Sequence, residues 1–282
     1  METVLVTGGS GRIGSAVVRH ANDAGYRTVS IDRVRDAGAA DRFIDVDVTD
    51  AGQVYGAVAM AEPDAIIHLG AIPNAGRDPD HVVYESNAMG AYNVLRAAAA
   101  LDVDSVCSAS SIQAMGTSVE GWVKYLPVDE EHPMVPRNPY ELGKQSVEML
   151  SDGFARQDGP PTSLATFRFP HVQTDEAFQE WLPQEREELT GGRGRYLFAY
   201  CAIDDVARLL LQAVETDLDG HERFWVSAPD TRTTVPTEEL IEEFHPQATV
   251  ATDLAGSDPL ISTAKAANLL GWRPEISWRQ WQ

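Results

Sequence analysis

The chain has 282 residues and a formal net charge of -21, with 22 Lys and Arg against 43 Asp and Glu. That excess of carboxylates repels phosphate backbones and anionic bilayers, which excludes nucleic acid and membrane surfaces as partners, and no run approaches the roughly 20 apolar residues of a membrane helix. Two cysteines far apart in sequence, Cys107 and Cys201, fit buried thiols in a reducing compartment, so the expectation is a cytoplasmic protein of one or two domains.

Only Lys124, Lys144 and Lys265 are lysines, so the cations are mostly guanidinium groups. An acidic, arginine-rich surface reads as adaptation to high salt (a halophilic habit), where screening relieves self-repulsion.

Residues 2–7 (ETVLVT) form a β-rich run, a glycine cluster follows at 8–14, and a helix is expected over 15–24, ending at Gly25. Further strands are expected at 26–31, 42–46, 64–69 and 103–109, with helices at 50–60, 79–101 and 138–156. A sixth strand at 163–169 and a seventh at 222–227 flank a helix at 203–216. Strands alternating with helices predict an α/β fold with a Rossmann-type, doubly wound parallel sheet. The dinucleotide-binding domain would take 1–169 plus 200–228. The remaining pieces, 170–199 and 229–282, would form a small C-terminal substrate-binding cap over the carboxyl ends of the strands.

The octet Thr7-Gly8-Gly9-Ser10-Gly11-Arg12-Ile13-Gly14 carries the first chemistry. Glycines at 8, 11 and 14 let backbone turn tightly, approach a pyrophosphate and pack helix on strand, and the helix N-terminus then faces the anion. Asp32 ends the second strand 24 positions after Gly8, where a carboxylate can accept hydrogen bonds from a ribose diol and repel a 2′-phosphate. This favours NAD. Arg12, Arg33 and Arg35 leave NADP open, because guanidinium groups near that ribose could pair with the phosphate.

Tyr140 and Lys144 stand at i and i+4 on a helix just past Pro139, on one face. A phenol with an ordinary pKa near 10 needs a neighbouring cation to act as base at neutral pH. About thirty residues upstream, the fifth strand runs into Ser108-Ala109-Ser110-Ser111, whose hydroxyls could hold a substrate oxygen. No cluster has metal-ligand spacing, His68 reads as a core residue, and Asp204-Asp205 suits a helix N-terminus.

Taken in order, TGGSGRIG, Asp32, Asp47-Val48, HLGA at 68–71, NAMGAYNVL at 87–95, SASSIQAMG at 108–116 and PYELGK at 139–144 resemble the signature of the extended short-chain dehydrogenase/reductases. That family includes nucleotide-sugar epimerases and dehydratases, and uronate and aldose dehydrogenases. The resemblance covers residues 1–170. It implies that Tyr140 is the general base or acid, Lys144 its modulator and Ser111 the partner of the substrate oxygen, Ser111 lying five positions before Gly116 as that motif requires. It further implies that Gly8, Gly11, Arg12, Ile13 and Gly14 cradle the cofactor. Asp32 and Arg33 would meet its ribose, Asp47 and Val48 its adenine, Leu69 and Ala71 its middle, and Asn87 its nicotinamide half. Asp47 and Asn87 could equally serve a turn or cap, and Leu69 and Ala71 strand core.

Asp204 follows Arg168 by only 36 positions, a stretch shorter than nucleotide-sugar enzymes of that family use to embrace a nucleotide. In this it resembles the uronate dehydrogenases, which carry a substrate-binding arginine nine positions before an Asp-Asp pair, as Arg195 precedes Asp204-Asp205. Arg193 could add a second cation. The pair Ile112-Gln113 stands where those enzymes have Asn-His, which places Gln113 with the substrate and weakens uronate against a neutral aldose. The leading expectation is therefore an NAD(P)-dependent dehydrogenase oxidising a free aldose or uronic acid at its anomeric carbon. A nucleotide-sugar epimerase or dehydratase is the alternative, and a non-catalytic dinucleotide sensor is a third. Homodimerisation through helices 79–101 and 138–156 fits the family's habit.

Overall fold

In the computed structural model, residues 2–35, 40–76, 78–179 and 194–281 are described. In chain order the first half carries β1 (Thr3–Thr7), α1 (Arg12–Asp23), β2 (Arg27–Asp32), β3 (Arg42–Asp45), α2 (Ala51–Ala61) and β4 (Ala65–His68). After β4 come α3 (Asp80–Tyr84), a π-turn at Glu85–Met89, α4 (Gly90–Ala100) and β5 (Ser105–Ser111). Then follow β6 (Tyr125–Leu126), α5 (Pro139–Ala155), β7 (Ser163–Phe169), β8 (His171–Gln173), β9 (Tyr200–Ala202), β10 (Gly220–Trp225) and β11 (Thr249–Val250).

Seven of these strands form one parallel sheet in the order β10-β7-β5-β4-β1-β2-β3. The order reverses between β1 and β4, and Thr7 lies in register with both Ile31 and His68 at that point. Loops diverging there leave a crevice at the carboxyl ends of the strands, the usual ligand position in such sheets. Alternation along β1 divides the core. Val4 and Val6 pack with Val17, Leu209 and Leu210 on one face, while Leu5 packs with Val54, Val94 and Leu95 on the other.

Local chemistry fixes where helices start. α1 begins at Arg12, inside the glycine motif rather than at 15, because Gly11 is its N-cap and Ser15 N donates to Gly11 O at 2.8 Å. α5 begins where the sequence places it, on a capping box: the Asn138 side chain accepts from Glu141 N and the Glu141 carboxylate reaches back, with Pro139 at the first helical position. The expected helix 79–101 is a composite interrupted by the π-turn. None of the described helices is long and apolar enough to cross a membrane.

The cap has its own core. Phe198, Leu240, Leu260 and Ile261 pack there against Ile112, Met115, Trp122, Leu126 and Val128. Those last five lie in the range expected to belong to the dinucleotide-binding domain. After β5 the chain leaves the sheet, crosses the cap and returns only at Asn138, a path without a periodic signature. The chain's end is anchored too: buried Trp272 and Trp278 donate to Asp205 O and Thr231 O, both at 3.0 Å. Cys107 and Cys201 are both buried free thiols.

Candidate active site

The turn between β1 and α1 depends on two glycines. Gly8 has φ +66°, and a Cβ there would lie 2.8 Å from Gly70 N; a Cβ on Gly14 would lie 2.1 Å from Gly8 O. Thr7 ties the facing loop to this turn. Its Oγ1 accepts from Leu69 N (3.2 Å) and Gly70 N (3.0 Å), and its hydroxyl is 2.7 Å from His68 Nδ1. Burial pushes His68 down to about 3, which favours the neutral imidazole, and because Thr7 Oγ1 already accepts two N–H bonds its own proton is left for His68 Nδ1.

A groove runs beside the turn, lined by Gly8, Gly11, Asp32, Arg33, Asp47 and Val48, with Leu69 and Ala71 at its inner end. Asp32 accepts from Ser10 N (3.2 Å) and Val34 N (3.3 Å), which fixes its carboxylate at the end of β2. Asp47 also faces the groove, but one of its oxygens accepts from Thr49 N (2.9 Å) and Thr49 Oγ1 (2.8 Å), bonds that hold its carboxyl below the usual range. Asp47 therefore combines groove lining with the turn role. Arg33 approaches Asp47 at 3.9 Å in an exposed pair, and Arg35 lies 5.6 Å from the Phe43 ring centroid. A ribose diol fits Asp32, and the bare turn fits a pyrophosphate.

The adjoining cavity, of about 520 Å³, gathers Arg12, Ile13, Ser111, Gln113, Tyr140 and Lys144. Ser111 ends β5 and Tyr140 lies in the first turn of α5, so sheet and helix bring the two hydroxyls together. Burial raises the Tyr140 pKa, and a hydrogen bond with Ser111 opposes that shift without reversing it. Burial also brings Lys144 down to about 8; its Nζ donates to Ala109 O at 2.8 Å and lies 6.0 Å from the Tyr140 ring centroid. Lys144 thus stands beside the tyrosine ring, held by a carbonyl, and in the protein alone it does not offset the desolvation of the phenol.

Two expected site residues lie elsewhere. Asn87 is buried and clamps Ile72, accepting from its N–H at 2.9 Å and donating to its carbonyl at 3.1 Å, and it lines neither cavity. Its side chain holds the β4–α3 loop, and Gly143 packs closely against it, a Cβ there lying 3.1 Å from Asn87 Cβ. Arg195 is exposed and absent from the cavity wall; only its carbonyl is used, accepting from Trp122 Nε1 at 3.0 Å. Its placement in the site followed from the spacing of the uronate dehydrogenases; here residues 195–198 form a turn ahead of β9. Arg193 lies outside the described residues.

Other residues escaped the sequence. Arg232 lines the cavity from the cap. Beneath the site, Arg168 pairs with Glu148 through Nε (3.0 Å) and Nη2 (2.8 Å), Ser110 Oγ donates to the same carboxylate at 2.7 Å, and Arg223 adds a contact at 3.2 Å. Burial alone would raise Glu148, but these donors hold it below the ordinary carboxylate range. One signal was present: Tyr140, Lys144 and Glu148 recur every four residues on one stripe of α5.

The fold is that of a dinucleotide-binding Rossmann-type enzyme, with Ser111, Tyr140 and Lys144 gathered in one cavity. The chain belongs to the NAD dependent epimerase/dehydratase family, whose sequence model matches residues 4–226, and its cofactor is NAD. It is 27% identical to the dTDP-glucose 4,6-dehydratase 1 of Escherichia coli strain K12, across 96% of this chain and 88% of that one. It is also 27% identical to the UDP-glucose 4-epimerase of Mycolicibacterium smegmatis, across 97% and 94%. A mutated uronate dehydrogenase shares the fold with a TM-score of 0.71 at 24% identity, covering 99% of this chain and 84% of that one.

Proposed function

We propose that the chain is a nucleotide-sugar epimerase or dehydratase, which oxidises a sugar hydroxyl transiently and returns the electrons to the same sugar. The likeness to a UDP-glucose 4-epimerase over 97% of the chain carries this reading, because it extends through the cap that faces the substrate. The free-sugar dehydrogenase reading loses its leading place, since Arg195, on which its substrate contact depended, is exposed and not among the described residues that line the cavity.

The glycine turn with Arg12 and Ile13, together with Asp32, Asp47, Val48, Leu69, Ala71 and Lys144, would hold NAD. When bound, NAD supplies an acceptor, and later a donor, of a hydride equivalent. Tyr140 takes the proton of the substrate hydroxyl and returns it, while Ser111 hydrogen-bonds the same oxygen. Burial disfavours phenolate at Tyr140, so a positive charge beside it is needed during turnover. Lys144 supplies one, nearly in full well below pH 8 and by half near pH 8, falling further above it. Phe169, Val172 and Phe198 give the cavity an apolar wall that limits water around the reacting oxygen.

A second reading, oxidation of a free aldose or uronic acid at its anomeric carbon, is favoured by the short stretch between Arg168 and Asp204. The test supplies UDP-glucose, dTDP-glucose, glucose and glucuronic acid in turn, each with NAD or NADP, following reduced-cofactor absorbance and separating products by chromatography. Conversion of a nucleotide sugar without net reduced cofactor is expected. Net reduction driven by a free sugar would install the second reading. Pairing of two copies through α3–α4 and α5 is part of the proposal: Tyr84, Met89, Tyr92, Leu142 and Met149 are exposed on those helices, and sedimentation should give a dimer.

A further inference from the structure

The face that α5 lays on the sheet carries more than the phenol of Tyr140. Tyr140, Lys144, Glu148 and Asp152 follow one another at every fourth position and form a single stripe along the helix. Each is tied to a strand by a polar bond. Tyr140 bonds the Ser111 hydroxyl, and Lys144 Nζ donates to Ala109 O at 2.8 Å. One turn on, the Glu148 carboxylate accepts from Ser110 Oγ at 2.7 Å and from Arg168 Nε and Nη2 at 3.0 and 2.8 Å. At the far end Asp152 pairs with Arg223 and, at 2.8 Å, with His221. Residues 109, 110 and 111 of β5 are thus stitched to positions 144, 148 and 140 of one helix.

Where a helix packs on a sheet, apolar residues serve stability as well as a buried ion pair does, because taking two charges out of water can cost more than their attraction recovers. Glu148 and Arg168 are nonetheless both buried. Their geometry supplies what apolar contacts lack. Ser110 and Arg168 stand opposite each other in the β5–β7 register, and both donate to the one carboxylate. That carboxylate fixes α5 both along and across the two strands, at the level of the residue before Ser111. A smooth apolar contact would let the helix slide.

We propose that Glu148 is a positioning residue, which holds α5 against the ends of β5 and β7 so that the hydroxyls of Ser111 and Tyr140 stay within bonding reach of each other. This deepens the reading that those two hydroxyls serve the reacting oxygen of the substrate. Neither Glu148 nor Arg168 is among the described residues that line the cavity, so the action passes through Ser110 and the helix. Misplacing reacting groups by about 1 Å costs up to about a hundredfold in rate, which is the scale on which a slide of α5 would act.

The test compares the NAD-loaded wild type with Ser110→Ala, Glu148→Gln, the double variant and Tyr140→Phe. Ser110→Ala cuts the link from β5 to the carboxylate and leaves both charges of the buried pair in place, so its effect is one of geometry rather than of field. Tyrosines are isotope-labelled at the ring carbon that bears the hydroxyl, and the magnetic resonance of Tyr140 is assigned by its absence from Tyr140→Phe. At neutral pH that resonance should move in Ser110→Ala towards the position of a tyrosine without a hydrogen-bond partner. On a sugar that wild type turns over, kcat should fall about tenfold or more, with KM and NAD affinity within about twofold. Glu148→Gln should do at least as much, and Ser110→Ala should add nothing to it, because both cut the same link. A purely structural role would lower the melting temperature and leave resonance and kcat alone. An unmoved resonance or an unchanged kcat in Ser110→Ala overturns the inference, as does a double variant that loses the product of the two single fold-changes, which would mean that Ser110 acts on substrate directly. Should Glu148→Gln fail to fold, as judged by its melting curve, Ser110→Ala decides. Loss of turnover in Tyr140→Phe but not in Ser110→Ala would sink the inference and leave the proposed function standing. If wild type turns over none of the sugars, the proposed function falls and the resonance alone decides the inference.

Discussion

The two walls of the catalytic crevice are built differently. On the cofactor side, residues 7–14 form strand end, turn and helix start in eight consecutive positions, and the shape follows from where glycine is required. On the cap side, Tyr196 and Phe198 come from one irregular segment and Arg232 from another, held by a core that also draws on 112–128 and 235–261. Backbone geometry dictates the first wall and long-range packing the second. The contrast implies that changes on the cofactor wall act on chemistry and cofactor affinity, while those on the cap wall act on substrate choice.

The largest expected effect is Tyr140→Phe, which removes one hydroxyl from the junction of the walls. It should lower kcat by about 10²- to 10⁴-fold with the melting temperature unchanged, and near-normal turnover would refute the role given to Tyr140. Next comes Glu148→Ala under the site. It leaves the buried Arg168 guanidinium without its carboxylate and should cost about 3–5 kcal/mol in denaturant unfolding. Because Glu148 titrates below its unfolded value, its stabilisation is present at neutral pH and is lost as pH falls through the folded pKa. Acid unfolding should therefore be blunted in the variant.

Gly14→Ala tests the cofactor wall directly. Its methyl would collide with Gly8 O, so the turn must open, with about 1–3 kcal/mol lost in stability and weaker NAD binding by titration. A wild-type NAD affinity in this variant would show that the turn is only structural. Asp32→Ala should shift the ratio of kcat/KM for NAD over NADP by about tenfold towards NADP, since one charge-assisted bond and one repulsion disappear together. The smallest effect is expected on the cap's outer surface. Arg195→Ala should leave KM for any sugar within about twofold, as befits an exposed side chain whose backbone alone is used; a large rise would return Arg195 to the site.

All seven strands of the main sheet were legible in the sequence, because buried parallel strands are short apolar runs and each is followed by helical periodicity or a turn signal. Order and spacing singled out Ser111, Tyr140 and Lys144, and the fold brings the three into one cavity. The short strands β6, β8, β9 and β11 were not, since two or three residues carry no measurable period. Asn87 had two open readings, cofactor contact and a turn or cap, and its side chain is instead bonded to both backbone groups of Ile72.

By itself the sequence determined what is local: a glycine turn at 8–14, a carboxylate at the end of β2, a phenol and an ammonium one helical turn apart. Such features depend on neighbours a few residues away, and steric and hydrogen-bonding rules act over that range. Only the tertiary structure decided that Lys144 bonds the Ala109 carbonyl and that Glu148 and Arg168 form a buried pair across twenty residues. It likewise decided that Arg232 rather than Arg195 faces the cavity. An arginine's direction depends on which surfaces pack against its backbone. In the cap those surfaces come from Phe198, Ser257 and Trp278, residues that sequence distance separates and that only folding brings together.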